Sequence, residues 1–149
     1  MADIAPIPTP PHRPTEPDVL REAVSLLQVY GFEVLTPPSA LAGRSCDLLL
    51  KRREAGDQDH WYLVELKNTY RSEFISSSSL SSCADLMSQC KEYLSIPYVT
   101  CVYSTNAKLG EAASLLSKEL ALTVLPEISS GTTLATALRD LTRPPHSTG

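Results

Sequence analysis

Two short apolar runs, each meeting a carboxylate at one end, constrain this chain most: Cys46-Asp47-Leu48-Leu49-Leu50, then Trp61-Tyr62-Leu63-Val64-Glu65-Leu66-Lys67. A polar stretch from Glu54 to His60 separates them, the pattern of two mostly buried strands joined as a hairpin. In that hairpin Asp47 begins one strand and Glu65 lies near the end of its antiparallel partner, so the two carboxylates approach each other across the ladder. Glu65 and Lys67 are two apart in a strand and share a face. One sheet edge therefore presents two hard oxygen ligands beside an ammonium, closing a strand that would otherwise be buried and where uncompensated charge is costly. That donor set suits a magnesium-type ion acting on water, and it points to metal-assisted phosphodiester hydrolysis.

The rest of the chain supplies a frame for such an edge. Pro17 and Asp18 open a helix with Val19, Leu20, Ala23, Val24, Leu26, Leu27 and Tyr30 on one broad apolar face, stopped at Gly31. Phe32 to Leu35 reads as a short strand ahead of the hairpin. A serine-rich link, Ser76 to Ser79, feeds a second helix with Leu80, Cys83, Ala84, Met87 and Leu94 as its buried stripe, ending near Pro97. Tyr98 to Tyr103 is a strand, 107–120 a third helix, Leu122 to Leu125 a last strand and Thr132 to Leu141 a last helix. Strands separated by helices imply parallel pairing through right-handed crossovers, and the first half adds an antiparallel hairpin. The expected fold is α/β, a mixed sheet flanked by helices. Residues 1–17, with six prolines between Pro6 and Pro17, read as a disordered arm, 18–142 as one domain and 143–149 as a disordered tail.

Composition removes several classes of function. At 149 residues, 42% hydrophobic and 20% charged, the chain is an ordinary globular protein of one domain. It contains no long apolar run, and a signal peptide's basic and apolar segments are missing, so an intracellular, soluble protein without a membrane partner is expected. The four cysteines, Cys46, Cys83, Cys90 and Cys101, show neither zinc nor iron–sulfur spacing and read as buried thiols. A net charge of −4 counts against tight nonspecific nucleic-acid binding by the monomer, yet a local patch or a metal ion still neutralises phosphate where chemistry occurs.

These residues resemble the PD-(D/E)XK nuclease superfamily, which has the restriction-endonuclease-like fold. Asp47 matches the first acid and Glu65-Leu66-Lys67 the (D/E)XK triplet; Cys46 stands where the family name has proline. The order of elements from about residue 18 to 126 is similar as well, an αβββαβ core followed here by a helix, a strand and a helix. Gln89-Cys90-Lys91-Glu92-Tyr93 looks like the QxxxY element of RecB-like members, and the segment around Ser104-Thr105-Asn106 looks like the second half of Mrr-type and Holliday-junction-resolvase-like members.

The resemblance implies that Asp47, Glu65 and the Leu66 carbonyl ligate Mg²⁺ or Mn²⁺. It makes Lys67 the residue that orients water or stabilises the transition state, Gln89 its helper, Tyr93 a substrate contact, and Glu22 an additional acid from the first helix. It further implies DNA as the partner, with a homodimer or a larger complex needed to cut both strands of a duplex.

Blander readings stand beside these. A solvated helix face explains Gln89 and Tyr93 without function. Lys51-Arg52-Arg53 is usually a strand leading into a turn; its functional alternative is a phosphate contact flanking the site, together with Arg44 or Arg71. Against a metal-dependent endonuclease stand two alternatives: a catalytically inactive nuclease-fold subunit that binds nucleic acid or serves as scaffold, and a nuclease acting on branched DNA or RNA.

Overall fold

The computed structural model describes residues 15–38, 44–53, 58–69, 73–96 and 98–141. Thr15 accepts the Asp18 N–H on its hydroxyl, and with Glu16 and Pro17 in the first turn this cap starts α1 (Glu16–Val29). Residues 15–17, expected in the arm, thus belong to the helix and its cap. The remainder of the arm and the tail lie outside the described residues. Val19, Ala23 and Leu27, four apart, form the buried stripe of α1, and Gly31 takes the left-handed φ of +94° that turns the chain into β1 (Glu33–Leu35).

β2 (Leu48–Arg53) and β3 (Asp59–Lys67) form the expected hairpin, with His60 in the strand and not in the turn. α2 (Ser77–Glu92), β4 (Val99–Thr105), α3 (Glu111–Glu119), β5 (Leu122–Leu125) and α4 (Gly131–Leu141) follow. The sheet runs β1-β2-β3-β4-β5, antiparallel from β1 to β3 and parallel from β3 to β5. This is the mixed sheet flanked by helices that the alternation of patterns predicts.

The two faces of the sheet carry separate cores. Leu48, Leu50, Tyr62, Val64, Leu66 and Val102 pack against α1 and α4; Leu49, Leu63, Cys101 and Tyr103 pack against α2 and α3. Covered on both sides, β3 must be apolar along most of its length, which is why its run reads as continuous. α1 and α4 approach closely at Gly131, where a β-carbon would stand 2.6 Å from both the Ala23 nitrogen and the Val19 oxygen. Only glycine permits that contact.

The boundaries of α2 and α3 differ from the sequence reading. The serine run is no link: Ser76 caps α2 by accepting the Ser79 N–H at 3.2 Å, and Ser77 to Ser79 are its first turn. The helix then ends at Glu92, and its buried stripe is Leu80, Cys83, Leu86, Met87 and Cys90, without Leu94. α3 starts only at Glu111 because 107 and 108 are held by other chain segments, with Lys108 N–H donating to Glu73 O at 2.8 Å and Glu127 N–H to Ala107 O at 3.0 Å. Its buried residues are Ala113 and Ser117, while Leu115 faces outward.

Candidate active site

The register that pairs Leu48 with Val64 puts Asp47 opposite Glu65 one step further on. There the ladder gives way to a side chain. Asp47 N–H still donates to Val64 O at 3.0 Å, but the Leu66 N–H donates to Asp47 Oδ2 at 2.7 Å. The carboxylate of Asp47 is thereby fixed beside that of Glu65. Glu65, Lys67 and Tyr103 face the α2 side of the sheet and, with Arg44, Ser78, Ser79, Ser82 and Cys83, line a pocket of about 270 Å³. It lies at the carboxyl ends of the parallel strands β3 and β4, where open α/β sheets bind ligands.

Two acids, Asp47 and Glu65, crowd one end of the pocket, with Arg44 and Lys67 on its wall. Burial pushes the Glu65 carboxyl up to about 9, and Asp47 adds to this through a shared hydrogen bond and its own charge; the Arg44 guanidinium opposes the shift. Two carboxylates so close cannot both ionise comfortably unless a cation joins them. A divalent ion fits this donor set, because it would take the place of the retained proton. Among the described residues no group of three or more His, Cys, Asp or Glu side chains is placed to hold a metal. An ion here would rest on two carboxylates, completed by main-chain oxygen, water and substrate, which is the habit of magnesium. Cys83 offers no competing chemistry: burial, reinforced by the Glu65 charge, raises its thiol to about 12.

The structure brings Asp47, Glu65 and Lys67 together, as the strand pattern predicts, with Leu66 between the last two, and Arg44, named above as an alternative phosphate contact, lines the same pocket. It leaves the others elsewhere. Glu22 is not at the pocket: its Oε1 accepts the Thr132 N–H at 2.8 Å and the Thr132 hydroxyl at 2.7 Å, capping α4 in the layer on the opposite face of the sheet. Gln89 and Tyr93 do not line it either. The pocket uses the first two turns of α2, whereas Gln89 lies about 10 Å further along the axis than Ser82. Tyr93, 54% exposed, is the residue that ends the helix.

The basic run sits at the far end of β2, about 20 Å of strand from Asp47 to Arg53. Lys51 is engaged there by Glu33 at 3.4 Å, Asp59 at 3.8 Å and the Trp61 ring, and Arg52 stacks on Phe32. Arg71 lies outside the described residues.

Two contributions were missed. Glu16, in the first turn of α1, is close enough for its charge to raise Glu65 further. Its signal was Thr15-Glu16-Pro17, a cap followed by a first-turn proline, which places Glu16 in the helix. The serines of α2 and the Tyr103 side chain also wall the pocket, and burial pushes the Tyr103 phenol upward. Tyr103 pairs with Glu65 in the parallel register, so it shares that face once β4 is placed beside β3.

No family model matches the sequence, and no curated protein matches it. Solved structures do share the fold. One is described as a protein of unknown function, AF1548, at a TM-score of 0.57 and 14% identity, covering 80% of this chain and 66% of that one. Another is a repair endonuclease from Pyrococcus abyssi, at a TM-score of 0.53 and 15% identity, covering 79% of this chain and 49% of that one. The chain thus spans less than two thirds of the length of both. The architecture is an endonuclease-like mixed sheet flanked by helices. No helix among the described residues is long and apolar enough to cross a membrane.

Proposed function

We propose that this chain is a divalent-metal-dependent nuclease of the PD-(D/E)XK superfamily that hydrolyses phosphodiester bonds in DNA. The observation that supports it best is the opposition of Asp47 and Glu65 across the β2–β3 hairpin, with Lys67 on the same face of one pocket. Asp47, Glu65 and the Leu66 carbonyl would hold Mg²⁺ or Mn²⁺. Such an ion, when bound, lowers the pKa of water and offsets charge on the scissile phosphate.

The chain's own groups have distinct tasks. The Leu66 N–H fixes Asp47, Glu65 gives up its proton to become a second anionic ligand, and Lys67 orients the attacking water and counters developing charge. Arg44 and the hydroxyls of Ser78, Ser79 and Ser82 line the same pocket and suit phosphate oxygens. The likeness in fold to a repair endonuclease supports DNA as substrate, and cutting a duplex on both strands calls for a homodimer or a larger complex.

A second reading, an inactive nuclease-fold subunit that binds nucleic acid, draws on the net charge of −4. Supercoiled plasmid incubated with purified protein and Mg²⁺ or Mn²⁺ separates the two. Nicking that is abolished by EDTA and by Lys67→Ala is the expected result. A folded protein that binds plasmid and leaves it intact, with either ion, supports the inactive subunit.

A further inference from the structure

The regular β2–β3 ladder stops at Leu48 and Val64, yet the end of β3 past that point carries Glu65 and Lys67. Strand ends fray more readily than strand centres, and a displacement of about 1 Å costs a catalytic group much of its effect. The parallel ladder with β4 runs on to Lys67 and Thr105, and side chains reinforce it from both sides. Asp47 takes the Leu66 N–H from the β2 side. From the β4 side, Ser104 Oγ donates to Glu65 O at 2.8 Å, Asn106 Oδ1 accepts the Thr69 N–H at 2.9 Å, and Asn106 Nδ2 donates to Thr69 O at 3.0 Å. Asn106 thus uses its amide as a substitute strand residue, satisfying both backbone groups of Thr69. Glu65 and Thr69 lie two residues to either side of Lys67, so these contacts bracket it.

The base of this clamp is itself tied down. Ile128 N–H donates to Thr105 O at 2.9 Å and Glu127 N–H to Ala107 O at 3.0 Å. Lys108 pairs with Glu73 O and, through its own carbonyl, with the Ile75 N–H. Asn106 therefore projects from a backbone fixed on both sides.

We propose that Ser104 and Asn106 are positioning residues that clamp the end of β3 and hold Lys67 in its working place. The inference rests on the nuclease reading for its catalytic consequence, while the clamp itself has an independent readout. The test uses the full chain carrying Asn106→Ala, Asn106→Asp or Ser104→Ala. Aspartate keeps the acceptor for the Thr69 N–H and loses the donor to Thr69 O, so it remains informative where alanine fails to fold. Amide hydrogen exchange is read at Lys67 and Thr69 against Leu63 in the core, alongside plasmid nicking kinetics and Mg²⁺ titration.

Asn106→Ala should speed exchange at Thr69 and Lys67 without changing it at Leu63, and lower kcat by about 10- to 100-fold. Asn106→Asp should show smaller effects in the same order, with KM and Mg²⁺ affinity unchanged. Unchanged exchange at both amides, or faster exchange with unaltered kcat, overturns the proposal. If the wild-type chain cleaves nothing, the nuclease reading fails by itself, and exchange at Lys67 still decides whether the clamp orders the strand end.

Discussion

Asp47 Oδ2 accepts the Leu66 N–H at 2.7 Å, so the first acid of the pair is fixed by the strand that delivers the second. This bond gives Asp47 a structural role that its charge does not require, and substitutions separate the two. Asp47→Asn keeps an oxygen for the Leu66 N–H and removes the charge; Asp47→Ala removes both. Both should abolish cleavage. Thermal denaturation should show Asp47→Ala less stable than Asp47→Asn by about 1–3 kcal/mol, the cost of a partly buried N–H left without a partner. Equal stability of the two would mean that the bond contributes nothing.

Glu65 makes stability depend on pH in a definite direction. Its folded-state carboxyl is pushed up to about 9 from an ordinary value of 4.5. The folded chain therefore retains a proton that the unfolded chain has released. The stability this contributes is fully present below pH 4.5 and is lost as pH rises through about 9. The melting temperature of metal-free protein should fall from pH 6 to pH 9, and Asp47→Asn should flatten the fall. A melting temperature that rises over this range in the wild type would contradict the assignment.

Glu22 should matter for folding and not for cleavage. Its carboxylate caps α4 through Thr132, so Glu22→Ala should cost about 1 kcal/mol in chemical denaturation, as lost helix caps do. Nicking rate and Mg²⁺ affinity of the folded variant should match the wild type. A large loss of rate at unchanged stability would return Glu22 to the site.

Gly131→Ala is expected to be among the more damaging small substitutions. The added carbon would meet the backbone of α1 at 2.6 Å, and backbone cannot rotate away. A loss of about 1–3 kcal/mol or more is expected from overpacking, read as a lower denaturation midpoint. A neutral result would mean that α1 and α4 separate readily.

Much of this fold was legible because its signals are local. The apolar run of β3, the acid ahead of Leu48 and the two-residue step from Glu65 to Lys67 fix the hairpin and its charged face without any knowledge of the other elements. What escaped depends on partners distant in sequence. The contact between Glu22 and Thr132 arises from packing α1 on α4, and no pattern within α1 announces it. Gln89 and Tyr93 share a spacing that suits a helical face, but spacing says nothing of how far along the sheet that face travels. Ser76 to Ser79 read as a link because serine is a poor residue inside helices and a good one at their start, and the two cases differ only in position.

The central claim is that Asp47 and Glu65 together form a cation site in which the ion replaces a proton. Calorimetric titration of Mn²⁺ at pH 7, repeated in two buffers of different ionisation enthalpy, tests it most directly by counting protons. The account predicts Mn²⁺ binding by the wild type with release of about one proton, since a group titrating near 9 is still protonated at pH 7, and loss of both binding and release in Glu65→Gln. Binding without proton release, or binding that survives Glu65→Gln, would contradict it.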